Sequence, residues 1–199
     1  PPQLAERRIV FADARVSEPY VIRTYLAPER DTGDQTKAAA LTMLAELLGG
    51  SGTTSVLARK LAFETETAVY ASAFYDGTAM DDTTFGLVVV PLPGVSLADA
   101  EAAMDKVLAD FLAEGVEPAA FERIKTQIIA SNIYARDNVD GLARRYGEAL
   151  TSGLTVADVQ AWPDVLQAAT ADNVMTVAAE VLDRRHAVTG WLTAEEATE

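Results

Sequence analysis

The sequence predicts an α+β fold, a two-layer sandwich of one mixed or antiparallel sheet with helices packed mainly on one face. Three observations predict it. Runs rich in β-branched and aromatic residues cluster before Pro91, and helical periodicity dominates from Ser96 onward. A lone apolar run, Ala187 to Leu192, follows the last helix and must return to the sheet. No internal repeat or low-complexity linker divides the 199 residues, so residues 1–199 are expected to form a single domain.

In chain order, Arg8-Ile9-Val10-Phe11-Ala12 and Tyr20-Val21-Ile22-Arg23-Thr24-Tyr25-Leu26 predict two strands. Pro28 and the run from Asp31 to Asp34 predict a loop. From about Gln35 to Leu48 a helix is expected, with Ala40, Leu41, Leu44, Leu47 and Leu48 on one face, and Gly49-Gly50-Ser51-Gly52 ends it. A short helix follows from Ser55 to about Phe63. Ala68 to Tyr75 and Thr83 to Val90 are the next strands, joined as a hairpin through Asp76-Gly77 and Asp81-Asp82. The second is almost continuously apolar, which suits a central strand, and Pro91 and Pro93 close it.

Ser96 with Asp99 caps the clearest helix, whose stripe is Leu97, Ala100, Met104, Val107, Leu108 and Phe111. Gly115 stops it, and Pro118 opens another helix carrying Phe121, Ile124, Ile128 and Tyr134. A break is expected near Asp137-Asn138, then a helix through Leu142, Tyr146 and Leu150 to Gly153. Thr155 with Asp158, and Thr170, read as N-caps of two shorter helices. The final strand precedes an acidic tail.

Composition narrows the function. Thirty acidic residues against 16 basic ones give a formal charge of −14, which argues against nucleic-acid binding, since phosphates need clustered Lys and Arg. The excess forms either a solvated outer face or an inner wall that attracts basic peptides. There is no cysteine, so disulfides, thiolate zinc sites and cysteine nucleophiles are excluded, while cytosol and periplasm both stay open. No apolar run approaches the ~18 residues of a membrane span. The chain starts Pro1-Pro2-Gln3, with neither Met nor a signal-like segment, and so reads as a piece of a longer polypeptide.

No complete catalytic or metal-binding constellation is present. His186 is the single histidine, so neither H-x-x-E-H nor H-E-x-x-H can be made, and no G-x-S-x-G elbow accompanies it. A surface or structural role is expected for it. Leu47-Leu48-Gly49-Gly50-Ser51-Gly52-Thr53-Thr54-Ser55 lacks the preceding strand and closing Gly-Lys-Ser/Thr of a phosphate loop. It reads as a helix C-cap and connection, or as a loop that contacts peptide backbone. Arg144 and Arg145, beside Tyr146, are expected to pair with carboxylates such as Glu148, with a substrate-facing role as the alternative. Trp162 and Trp191 read as core aromatics.

Together LAELLGGSGTTSVLARKL (44–61), AVYASAFYDGT (68–78), FERIKTQIIASNIYARD (121–137), GLARRYGEAL (141–150) and the terminal VTGWL resemble the insulinase/pitrilysin family of zinc metallopeptidases. The resemblance is to the C-terminal, zinc-free "inactive" domain of its bacterial processing-peptidase-like branch, and spans essentially the whole chain. It implies a clam-shell in which an N-terminal half, carrying zinc on H-x-x-E-H and a distal glutamate, closes with this half around an unfolded peptide. The zinc-free half commonly supplies an Arg and a Tyr seven residues apart. Aligned through Leu61 and Ala68, those positions are Ala62 and Val69 here. Arg59 and Tyr70 lie nearby but eleven apart.

The resemblance therefore implies a chain without catalytic residues or metal of its own. Gly50, Ser51, Gly52, Arg59, Tyr70, Arg144, Arg145 and Tyr146 are the candidate substrate contacts. It further implies zinc in the parent protein and a second subunit supplying the Arg/Tyr pair. A periplasmic location is expected, with a cytoplasmic one possible. The competing expectation is a structural or assembly module on the same fold without proteolysis. An H-x-x-E-H motif in preceding sequence would separate the two.

Overall fold

The structure, a computed structural model, describes residues 4–50, 52–135 and 137–195. Five strands, β1 (Arg7–Ala12), β2 (Tyr20–Ala27), β3 (Ala68–Tyr75), β4 (Thr83–Pro91) and β5 (Ala187–Thr193), form one sheet in the order β1-β5-β2-β4-β3. β1 runs parallel to β5, and the other neighbours are antiparallel, so the sheet is mixed as expected. The returning β5 inserts between β1 and β2, which makes β1 and β3 the two edges.

Strand alternation decides which face receives the helices. Val21, Arg23, Tyr25 and Ala27 of β2 are buried, as are Phe85, Leu87 and Val89 of β4. Against this face pack α1 (Thr36–Ala45), α2 (Leu97–Glu114) and α6 (Ala171–Val181), through Leu41, Leu44, Met104 and Val174 among others. Each large aliphatic side chain buried there contributes roughly 1.5–3 kcal/mol. α3 (Pro118–Ala135), α4 (Val139–Thr151) and α5 (Val156–Ala168) complete the helical layer. Ser96 accepts a hydrogen bond from the Asp99 amide, and Thr155/Asp158 and Thr170/Asn173 form full capping boxes. Asn138 caps α4 at the expected break. The side chain of Tyr134 lies outside the described residues.

The first helix departs from expectation twice. It is buried on nearly every side rather than along one stripe, because its alanines let neighbours approach all round. Its α-helical part also ends at Ala45 and widens into a π-helical turn, Glu46–Gly50. That turn brings Gly49 onto the backbone of β3, where a Cβ would overlap Ser72 and Ala73. Gly49 is thus a close-approach glycine rather than a helix cap. The short helix near Ser55 likewise becomes π-helical over Ala58–Glu64.

One ionic cluster crosses the layers. Arg23 is 1% exposed, and its Nη2 donates to Glu101 Oε1 (2.7 Å), its Nη1 to Asp105 and its Nε to Thr189. Glu101 also accepts two hydrogen bonds from Arg8 of β1 and one from Trp191 Nε1 (2.7 Å). Arg184 bonds Asp105 and Glu6 at the rim. Burial disfavours the Glu101 charge, but Arg8, Trp191 and Arg23 together outweigh it and hold the carboxyl below its ordinary range.

Candidate functional site

β3 is an edge strand, so its outer side carries backbone groups that no strand pairs. Ala68 pairs with Pro91 and Tyr70 with Val90, which leaves Val69 as a bulge with no partner across the hairpin. Beside this strand runs a cleft of about 470 Å³. Its floor is residues 69–73, and its walls are the glycine segment and the π-helical turn that carries Ala58, Ala62 and Phe63. The pressed-down Gly49 joins those walls to the floor, because only a residue without Cβ lets the backbone approach so closely.

The cleft gathers Gly50, Gly52, Ala62, Val69 and Tyr70 from separate parts of the sequence. Ser51 lies outside the described residues. Arg59 does not join them. It lines a neighbouring cleft under the α2–α3 turn, and its Nη1 donates to Glu117 Oε2 (3.2 Å). Arg144, Arg145 and Tyr146 are also absent from the lining; they sit on α4, which packs on α5. Tyr146 rests against a small satellite core of Ala149, Leu154 and Val159.

The pairing expected of Arg144 and Arg145 with Glu148 is not found, since neither arginine makes an ion pair among the described residues. A solvent-screened pair returns too little to hold two long side chains in one geometry. His186 is exposed on a 3-10 turn, Arg184–His186. Trp162 and Trp191 are half-buried against the core as expected, but each also holds a polar task. Arg30 stacks on the Trp162 ring at 3.9 Å, and the Trp191 indole donates to Glu101.

Among the described residues no charged side chain lines the cleft. It offers backbone groups, methyls, the rings of Phe63 and Tyr70, and a few hydroxyls, a surface that can hold an extended chain but has no acid–base pair. One carboxylate behind the cleft escaped the sequence reading: Glu46 lies against Gly50, and burial pushes its pKa up. The available signal was a single acid inside the apolar run 43–48. The residues do not fit a zinc ion either. There is one histidine and no cysteine, and the described residues hold no group of three possible ligands.

Residues 1–128 match the family model described as the peptidase M16 inactive domain. No curated protein matches the chain. Among solved structures, a protease from Helicobacter pylori superposes with a TM-score of 0.85 at 20% identity, over 97% of this chain and 45% of that one. The inactive peptidase domain from Bordetella parapertussis gives 0.79 at 18% identity, over 95% of this chain and all of that one. The first half of the periplasmic protease PqqL from Escherichia coli gives 0.80 at 14% identity, over 98% and 43%. The chain thus spans less than half of two of these three relatives.

Proposed function

Because this chain belongs to the peptidase M16 inactive-domain family, we propose that it is a non-catalytic domain that helps enclose an unfolded peptide for hydrolysis at zinc in another half of the protein. The observation that carries the reading is the uncharged cleft along the free edge of β3, where an extended peptide adds main-chain hydrogen bonds and side-chain contacts. Zinc belongs to the parent protein, on an N-terminal half bearing H-x-x-E-H. Ala62 and Val69 lining this cleft support a second subunit as the source of the missing Arg and Tyr. The periplasmic PqqL supports a periplasmic setting; among the described residues no helix is long and apolar enough to cross a membrane.

The partner half has a natural seat. On the sheet face away from the helices, Ile9, Phe11, Leu26, Tyr70 and Phe74 are 58, 57, 52, 55 and 41% exposed. Their strand positions put them on one side, and such a continuous apolar face marks an interaction surface.

Fluorescence anisotropy of a labelled unfolded peptide tests the cleft. Binding to the 199-residue chain should weaken at least tenfold in Ala62→Trp, which fills the cleft at a half-buried position, while the thermal midpoint stays within a few degrees. Equal binding by the variant, or peptide cleavage by the chain alone in the presence of a chelator, would overturn the reading.

A further inference from the structure

A second, polar cavity lies on the helix side, at the end of β3 remote from the bulge. Its volume is about 170 Å³, and Arg30, Thr42, Tyr75, Asp76, Thr78 and Trp162 are among its lining residues. Arg30 sets its chemistry. The residue is only 7% exposed, yet it has no carboxylate in an ion pair among the described residues. Its Nε donates to Gln35 Oε1 and its Nη2 to the Asp158 carbonyl at 2.6 Å, both uncharged acceptors. Trp162 covers one face of the guanidinium.

Nη1 has no acceptor among the described hydrogen bonds, and no buried side-chain nitrogen or oxygen is left without one. Nη1 is therefore not sealed from solvent, and Arg30 is one of the residues that line the cavity. We propose that this cavity binds a carboxylate-sized oxyanion, with Arg30 Nη1 as the anchoring donor and the Thr78 hydroxyl as a second. A charge-assisted hydrogen bond from a desolvated guanidinium is among the stronger contacts a small anion can find.

The electrostatics fit a guanidinium short of a direct counter-ion. Burial pulls the Arg30 pKa down to about 10 against the through-space pull of Asp158, and Arg145 of α4 adds a like charge nearby. The Asp158 carboxylate itself is engaged elsewhere, by the Thr155 hydroxyl and amide and by Gln35 Nε2. Asp76, exposed and held by the Thr78 amide, stands against an incoming anion and limits its affinity.

The Trp162 indole and the Gly77 and Thr78 amides report occupancy by NMR on the full chain, with the other indole, Trp191, as internal control. Sodium acetate and inorganic phosphate are titrated against chloride at constant ionic strength. The expected result is a saturable shift of the Trp162 indole, lost in Arg30→Met and tightened roughly threefold or more in Asp76→Asn, which removes one repelling charge. The Asp76→Asn arm keeps the test decisive if Arg30→Met does not fold. A capped tripeptide acid and its amide then separate a free anion from a peptide C-terminus: a shift with the acid alone assigns the terminus, and no shift with either assigns the free ion. Absence of any saturable shift, its persistence in Arg30→Met, or no tightening in Asp76→Asn overturns the proposal.

Discussion

Arg8 on the edge strand β1 and Glu101 on α2 are joined by two parallel hydrogen bonds of 2.6 and 2.7 Å across 93 residues of sequence. The same carboxylate meets Arg23, which solvent barely reaches. Removing it in Glu101→Ala leaves the buried Arg23 guanidinium with Asp105 as its remaining carboxylate partner, so the loss should approach but not exceed the about 3–5 kcal/mol of breaking a buried pair outright. Urea unfolding should show that loss, whereas Arg8→Ala, which leaves Arg23 paired, should cost much less. Equal losses would mean that the β1 clamp, not the buried charge, dominates.

Acid should undo the same cluster. The folded-state pKa of Glu101 lies below its ordinary 4.5, so its contribution is complete above that value and disappears as pH falls through the lower, folded one. Asp158 acts in the same sense, being held down to about 2, chiefly by the Thr155 hydroxyl. Thermal midpoints should therefore drop steeply between about pH 4.5 and 2, and Glu101→Gln should flatten the upper part of that slope.

Glu46 has the opposite sign. Burial raises its pKa, so the folded state favours the protonated form and charge at this site opposes folding at neutral pH. Glu46→Gln should raise the melting temperature at pH 7 and make no difference once the carboxyl is protonated. A lower midpoint at pH 7 would show that the charged form makes a needed contact.

Two glycines should respond in opposite directions. Gly49→Ala drives a methyl into the backbone of β3 and should cost several kcal/mol, as forced overpacking in a rigid contact does. Gly147, inside α4, has open space where its Cβ would be, so Gly147→Ala should stabilise the chain by roughly 0.5–1 kcal/mol. Calorimetry of the two variants compares them directly.

Phe74 lies over Gly86 on the open face of the sheet, where a Cβ at Gly86 would overlap its ring. Phe74→Lys combined with Leu26→Lys should leave the fold intact and raise the solubility limit of the isolated chain. It should also abolish association with the proposed zinc-bearing half in size-exclusion chromatography. Unimpaired association would place that half on another surface.

Most of the element order was readable because each segment declares its period locally. Thr83 to Val90 is apolar enough to be a central strand, and the stripe from Leu97 to Phe111 has helical spacing that only one face satisfies. Boundaries at Ser96, Thr155 and Thr170 were visible because a capping side chain acts on amides within three residues of itself. The site was only partly readable. Ala62 and Val69 were identified as departures by resemblance, but nothing local foretold that they line one cleft with Gly50 and Tyr70. Arg59, equally near in sequence, turns to Glu117 instead.

By itself, then, the sequence determined the α+β class, the order of elements, the family, and the lack of a histidine or cysteine set for zinc. The class, the element order and the missing zinc ligands follow from composition and from interactions spanning a few residues, and the family from the resemblance of five ordered segments. Tertiary structure decided the rest: that Gly49 is a contact rather than a cap, that Glu101 gathers three arginines and a tryptophan, and that Arg30 opens onto a polar cavity. Each depends on which surfaces meet when distant segments pack, and that choice is made by the shared core rather than by any one segment.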